Sequence, residues 1–315
     1  MSILVTGGAG FIGSHLVHAL LRQNHEVTVL DDFNDFYSPT LKRENVATFG
    51  GRAKVVEGDI CDAPTVDALF DRSHFDCIVH LAARAGVRPS IQFPELYLRT
   101  NIDGTFRLLE AARRTGVPRF LFASSSSVYG LAKRIPFSED MALPQTLSPY
   151  AATKLAGEHL CGNFSNLYGL RVVCLRFFTV YGPCQRPDLA IHKFTKSILE
   201  GCPIPKFGDG STRRDYTYVD DIIQGVLGAL CYEGKIFDIF NLGESETTTL
   251  NELIIAIEEA LGKKAFIESL PEQKGDMPRT YADISKARAL LNYQPQTKIS
   301  LGIQRFVDWY REKMI

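Results

Sequence analysis

Tyr150 and Lys154 stand four residues apart in Ser148-Pro149-Tyr150-Ala151-Ala152-Thr153-Lys154. On a helix, residues so spaced share one face, one turn apart. A phenol beside an ammonium is a candidate proton-transfer group. An ordinary tyrosine has a pKa of about 10, so bringing it to about 7 takes roughly 4 kcal/mol of preferential phenolate stabilisation. A lysine alone would struggle to supply that; a lysine together with a cationic cofactor ring could. The same spacing recurs at Tyr129-Gly130-Leu131-Ala132-Lys133, which reads as the start of a loop. The pair at 150 and 154 therefore needs support from the rest of the chain.

The elements that would position it follow from the hydrophobic pattern. Short β-branched runs at 2–5, 26–30, 54–57, 77–81, 120–123 and 172–175 alternate with helix-like stretches near 11–23, 64–72, 94–115 and 150–168. Such alternation predicts an α/β fold with a Rossmann-type, doubly wound parallel sheet. The pattern fades after Phe178, where Pro183, Pro187, Pro203 and Pro205 interrupt it. A strand at 237–241 is expected to return to the sheet, with helices near 249–261 and 300–313. The expected division is 1–178, with a returning segment about 216–243, for the sheet domain, and 179–215 with 244–315 for a smaller α/β C-terminal lobe.

Composition narrows the partners. Of 315 residues, 45% are hydrophobic and 23% charged, as in soluble globular proteins. A net charge of −1 gives no global reason to expect nucleic acid or a membrane, and no apolar run approaches the length of a bilayer span. The chain enters Ile3-Leu4-Val5 without a basic leader, and its seven cysteines form no C-x-x-C pair, which suggests reduced thiols in the cytoplasm. None has metal-ligand spacing, so no metal is expected.

Gly7-Gly8-Ala9-Gly10-Phe11-Ile12-Gly13 follows the first strand and opens the first helix. Residues without a Cβ let the backbone approach a pyrophosphate, and the helix N-terminus supplies amide donors and a positive dipole end. The glycines at 7, 10 and 13 have G-x-x-G-x-x-G spacing rather than G-x-G-x-x-G. Asp31 closes the second strand at about the offset of a ribose-binding acid, and a carboxylate there favours NAD over NADP. Asp32 beside it could share that role. Asp59 stands where an adenine amino group could be met, or alternatively caps a helix.

Together these residues resemble the extended short-chain dehydrogenase/reductases, specifically the nucleotide-sugar epimerases and dehydratases. The likeness covers essentially the whole chain through the glycine motif, Asp31, Asp59-Ile60, His80-Leu81-Ala82-Ala83, Asn101, Ser124–Gly130, Tyr150/Lys154 and Arg214-Asp215-Tyr216. It implies that Tyr150 is the base, that Lys154 binds the nicotinamide ribose, and that NAD stays bound through the cycle. It adds Phe11, Ile12, Ile60, Leu81, Ala82, Ala83, Asn101 and Ser124 to the cofactor contacts. It also implies a UDP-sugar in the C-terminal lobe with Arg214 on its diphosphate, and a homodimer through the helices near 95–115 and 150–168.

Members of this family oxidise sugar C4 and differ in the step that follows. Those resembling 4,6-dehydratases carry an Asp-Glu pair where Ser126 and Ser127 stand, and the decarboxylases a glutamate at 127; neither acid is present here. Oxidation, rotation of the 4-keto sugar and hydride return remain, with Ser125 on the C4 hydroxyl or, alternatively, satisfying local backbone. The stretch 177–188 resembles the UDP-glucuronate 4-epimerase version, with Arg186-Pro187-Asp188 as its informative part. A guanidinium can neutralise a C6 carboxylate, with Ser126, Ser127 and Thr179 as neutral donors. Arg186 could instead meet the diphosphate. Arg88 and Asp276 complete the expected substrate contacts, and UDP-glucose or UDP-N-acetylglucosamine is the alternative sugar.

Overall fold

The computed structural model describes residues 1–143, 145–271 and 279–314. Six strands of the first half are β1 (Ser2–Thr6), β2 (Glu26–Asp31), β3 (Lys54–Glu57), β4 (Cys77–His80), β5 (Arg119–Ser125) and β6 (Arg171–Phe177). A seventh, Phe237–Leu242, pairs with β6. The sheet runs Phe237–Leu242, β6, β5, β4, β1, β2, β3, every neighbour parallel. Strand order reverses between β1 and β4, the switch point where ligands settle outside the carboxyl ends of such sheets.

Side chains alternate across the sheet, so both faces are apolar. Ile3, Val5, Val29, Val79 and Leu121 join the core under helix α1 (Phe11–Arg22). Leu4, Leu30, Ile78, Phe120 and Phe122 join a second core with α3 (Ala63–Arg72), α6 (Thr105–Thr115) and α7 (Pro149–Tyr168). Helix α2 (Pro39–Ala47) buries Lys42 but no apolar residue, which is why no periodic signal marks it.

The helix expected over 94–115 is divided into α5 (Pro94–Leu98), a π-helical turn Arg99–Gly104 and α6, and a separate short helix, α4 (Val87–Gln92), precedes it. Pro94 marks the start of α5, because its ring suits the first turn of a new helix and not the interior of an old one. Two helices, Ala190–Glu200 and Val219–Leu230, lie in the region where the pattern fades. Pro187 and Pro203 bound the first of them rather than forbidding it. The smaller sheets pair Thr179–Tyr181 with Tyr216–Tyr218, Arg213–Arg214 with Thr248–Thr249, and Pro203–Phe207 with Phe266–Leu270.

Helix α7 starts on a Ser148 cap, whose Oγ accepts from the Ala151 amide at 3.2 Å, with Pro149 in the first turn. Gly157 lets it lie close on β5, since a Cβ there would stand 2.4 Å from Cζ of the buried Phe122 ring. Gly157→Val should therefore cost about 1–3 kcal/mol in denaturant unfolding and lower kcat by lifting Tyr150 and Lys154 off β5. Wild-type stability in that variant would contradict the close seating.

Candidate active site

The carboxyl ends of β1, β2, β4, β5 and β6 open onto one cavity of about 620 Å³. Gly7, Gly10, Phe11, Ile12, Gly13, Asp31, Asp59, Ile60, Leu81, Ala82, Ala83 and Ser124 line one part of it. Gly7 has φ +70°, and a Cβ on it would lie 2.7 Å from the Ala82 nitrogen; one on Gly13 would lie 2.2 Å from the Gly7 carbonyl oxygen. Only glycine fits either place. The N-terminus of α1 has no side-chain cap, so its amides face the cavity, the arrangement that receives a pyrophosphate.

Asp31 accepts from the Ala9 amide at 3.1 Å and the Phe33 amide at 3.0 Å. Burial raises its pKa, while nearby Lys42 and those amides pull it back. Asp32 instead accepts from the Asn34 amide at 3.1 Å, turning the loop after β2. Asp59 accepts from the Cys61 amide at 2.8 Å and pairs with Arg99 at 3.2 Å; the cap of α3 is Asp62.

At the centre, Tyr150 lies in the first turn of α7, where the helix dipole favours a phenolate. Tyr97 packs edge-on against its ring at 6.2 Å. Burial nonetheless raises the Tyr150 pKa, with the Ser125 hydroxyl and the Arg186 guanidinium pulling against it. Lys154 donates to the Ala123 carbonyl at 2.6 Å, and burial takes its ammonium down to about 8. Lys154 is not among the groups that pull the Tyr150 phenol down. Ser125 Oγ accepts from the Ser127 amide at 3.2 Å and lies 2.9 Å from the Ser127 hydroxyl, so it serves the local backbone as well as facing the cavity.

The second tyrosine–lysine spacing is structural. Tyr129 is buried, donates to Asn241 Oδ1 at 2.7 Å and accepts from Arg176 at 3.0 Å, while Lys133 is exposed.

On the far wall stand Ser126, Ser127, Thr179, Arg186, Arg214 and Arg88. Arg186 gives Nε and Nη2 to Asp188 at 2.9 and 2.8 Å and lies 5.4 Å over the Phe36 ring. Arg214 donates to the Arg213 carbonyl at 2.9 Å, and Arg88 lies 5.3 Å over Phe207.

Asn101, expected at the cofactor, is 2% exposed and is not among the residues that line the cavity. Its Nδ2 donates to the Arg84 carbonyl and to Thr153 Oγ1, both at 3.0 Å, and its Oδ1 accepts from the Arg84 amide at 2.8 Å, leaving no donor for a ligand. Its place is to brace the loop after β4 against α7. Asp276 lies outside the described residues. Sequence reasoning also passed over Asn34, Phe36, Tyr37 and Lys42, which line the cavity after β2. The available signal was the turn chemistry of Asp32-Phe33-Asn34 directly after the strand that ends in Asp31.

Residues 3–243 match the NAD dependent epimerase/dehydratase family. The chain belongs to that family. UDP-glucuronate 4-epimerase 1 of Arabidopsis thaliana is 43% identical over 331 residues, covering 98% of this chain and 76% of the plant protein. The structure of UDP-glucuronic acid 4-epimerase from Bacillus cereus, in complex with UDP-glucuronic acid and NAD, is 40% identical with a TM-score of 0.93, covering 99% of both chains. That of UDP-glucose 4-epimerase from Thermus thermophilus with NAD is 34% identical with a TM-score of 0.90, covering 99% of this chain and all (100%) of the other.

As a member of this NAD-dependent family, the protein is an enzyme acting on nucleotide sugars, and its glycine cradle and Asp31 suit that cofactor. Asp31→Ala should weaken NAD binding roughly tenfold to a hundredfold, the worth of hydrogen bonds to a carboxylate, and should favour NADP relative to NAD. Calorimetric titration of cofactor-stripped protein checks both; unchanged NAD affinity would remove Asp31 from the ribose.

Proposed function

We propose that the protein inverts C4 of UDP-glucuronate to give UDP-galacturonate. The observation that carries this reading is Arg186 in the cavity wall with Ser126, Ser127 and Thr179, close enough to Tyr150 to lower its pKa. The wall offers donors to a C6 carboxylate and, at 126 and 127, no acid or base for elimination. Because Asp188 holds Arg186 through Nε and Nη2, the pair is fixed in place and recognises a carboxylate by the direction of Nη1 and the hydroxyls rather than by net charge.

NAD held by the glycine cradle, Asp31 and Lys154 would supply a reversible hydride acceptor for C4. Tyr150 takes the C4 hydroxyl proton, Ser125 orients that oxygen, and Lys154 holds the cofactor ribose. The sugar, as a 4-keto intermediate, rotates and presents its other face. That intermediate of a uronate is a β-keto acid, which loses carbon dioxide when the breaking bond aligns with the carbonyl π-system. Arg186 and the three hydroxyls hold the carboxylate out of that alignment. The nucleotide sits in a lobe of residues 179–215 and 244–315, with Arg214 on the diphosphate. Two copies pair through α5, α6 and α7, where Leu96, Leu98, Phe106 and Leu167 are exposed. Seven unpaired cysteines suit a reducing cytoplasm.

A second reading has a specific observation in its favour. Arg186 already has a carboxylate partner in Asp188, so the same cavity could take the neutral sugar of UDP-glucose or UDP-N-acetylglucosamine.

Incubation with UDP-glucuronate, followed by NMR, should give UDP-galacturonate without net NADH; UDP-xylose alone would sink the assignment. Arg186→Ala should cut uronate turnover at least about tenfold, the loss of a charge-assisted hydrogen bond, or divert product to a UDP-pentose. Unchanged turnover would refute the clamp. Phe106→Glu with Leu167→Glu should convert a dimer into a monomer in sedimentation, and a monomeric wild type would overturn the pairing.

A further inference from the structure

Ser124 on β5 and Arg176 on β6 are register partners, and both reach Glu158 on α7. Ser124 Oγ donates to Glu158 Oε1 at 2.5 Å, while Arg176 donates Nε to Oε1 at 2.8 Å and Nη2 to Oε2 at 2.7 Å. Arg176 and Glu158 side chains are 3% and 4% exposed. Buried ion pairs are weak devices for stability, since apolar residues of similar volume often do as well or better. This pair lies directly behind the reacting centre. Tyr150, Lys154 and Glu158 follow one another at four-residue steps along α7, on one face.

We propose that Glu158, clamped by Arg176 and Ser124, is a positioning residue for the C4 chemistry, supplying the counter-charge for the Lys154 ammonium and tying the Ser124–Ser125 end of β5 to α7. The proposal rests on the 4-epimerase reading of the site and not on which sugar it takes. The groups that touch Lys154 or act on it are Glu158 and Cys161 on α7, His80 on β4, and the Phe122 ring and Ala123 carbonyl on β5, with Arg176 on β6 paired to Glu158. His80, hydrogen-bonded to Thr6 and Thr105, is held neutral by burial, its pKa down to about 3. Among these described groups Glu158 is the carboxylate. Burial lowers the Lys154 ammonium, with Cys161 and Glu158 acting against it. Without Glu158 the ammonium would lose its proton at lower pH.

The test is the pH profile of kcat on NAD-loaded enzyme. Glu158→Gln alone would strand a buried guanidinium, so the variant is Glu158→Gln with Arg176→Met, which removes that guanidinium together with its carboxylate. A second apolar pair, Glu158→Leu with Arg176→Leu, guards against misfolding of the first; thermal melting and retained NAD qualify them. The expected result is a basic limb moved about one unit to lower pH, with KM within about twofold of wild type. Glu158→Asp, which keeps the charge, should hold the limb at its wild-type position. A limb unmoved in a folded double variant overturns the proposal, whatever kcat does. The profile is read with whichever of UDP-glucuronate and UDP-glucose turns over, so failure of the uronate assignment leaves this test standing.

Discussion

The close seating of helix α7 on strand β5 is the constraint on which the site depends. Gly157 over Phe122 permits the approach, and the Lys154 ammonium donating to the Ala123 carbonyl anchors it. From that contact the rest follows geometrically: Tyr150, one turn earlier, faces Ser125, and Glu158, one turn later, meets Ser124 and Arg176. A parallel sheet then brings the glycine loop after β1, the acid at the end of β2 and the Leu81–Ala83 wall to the same rim, because parallel strands carry their carboxyl ends to one edge.

The electrostatics of the cavity divide the labour between chain and cofactor. Burial works against charge on both reacting groups, raising the tyrosine and lowering the lysine. The dipole of α7, the Ser125 hydroxyl and Arg186 supply part of the opposing field. With Tyr150 as the proposed base, a cationic nicotinamide ring would add to that field and so couple proton removal at C4 to the presence of the hydride acceptor. A tyrosine ionised permanently by its lysine would lack that coupling.

Much of this was legible in the residues. Strands β1, β2, β4, β5 and β6 and helices α1 and α3 carry clean periodicity because each buries a regular face in one of the two cores. The helices Ala190–Glu200 and Val219–Leu230 were obscured by flanking prolines, which mark where elements stop rather than what lies between them. The partners of Asn101 were not legible in the residues, because its amide serves Arg84 and Thr153, which only the folded chain brings to it.

By itself the sequence determined the chemistry on offer: a tyrosine and lysine one turn apart, a glycine turn opening a helix, an acid ending a strand, and no acids at 126 and 127. These are local facts, set by residue type and short spacing. Which tyrosine–lysine pair reaches the cavity was decided by tertiary structure, which buries Tyr129 against Arg176 and Asn241 and opens Tyr150 to the cavity. Arg186 shows both: its partner Asp188 is two residues away, but its seat on Phe36 comes from the turn after β2, about 150 residues earlier in the chain. Charge pairing, burial and pKa depend on neighbours in space, and those neighbours exist only once the sheet has gathered its carboxyl ends.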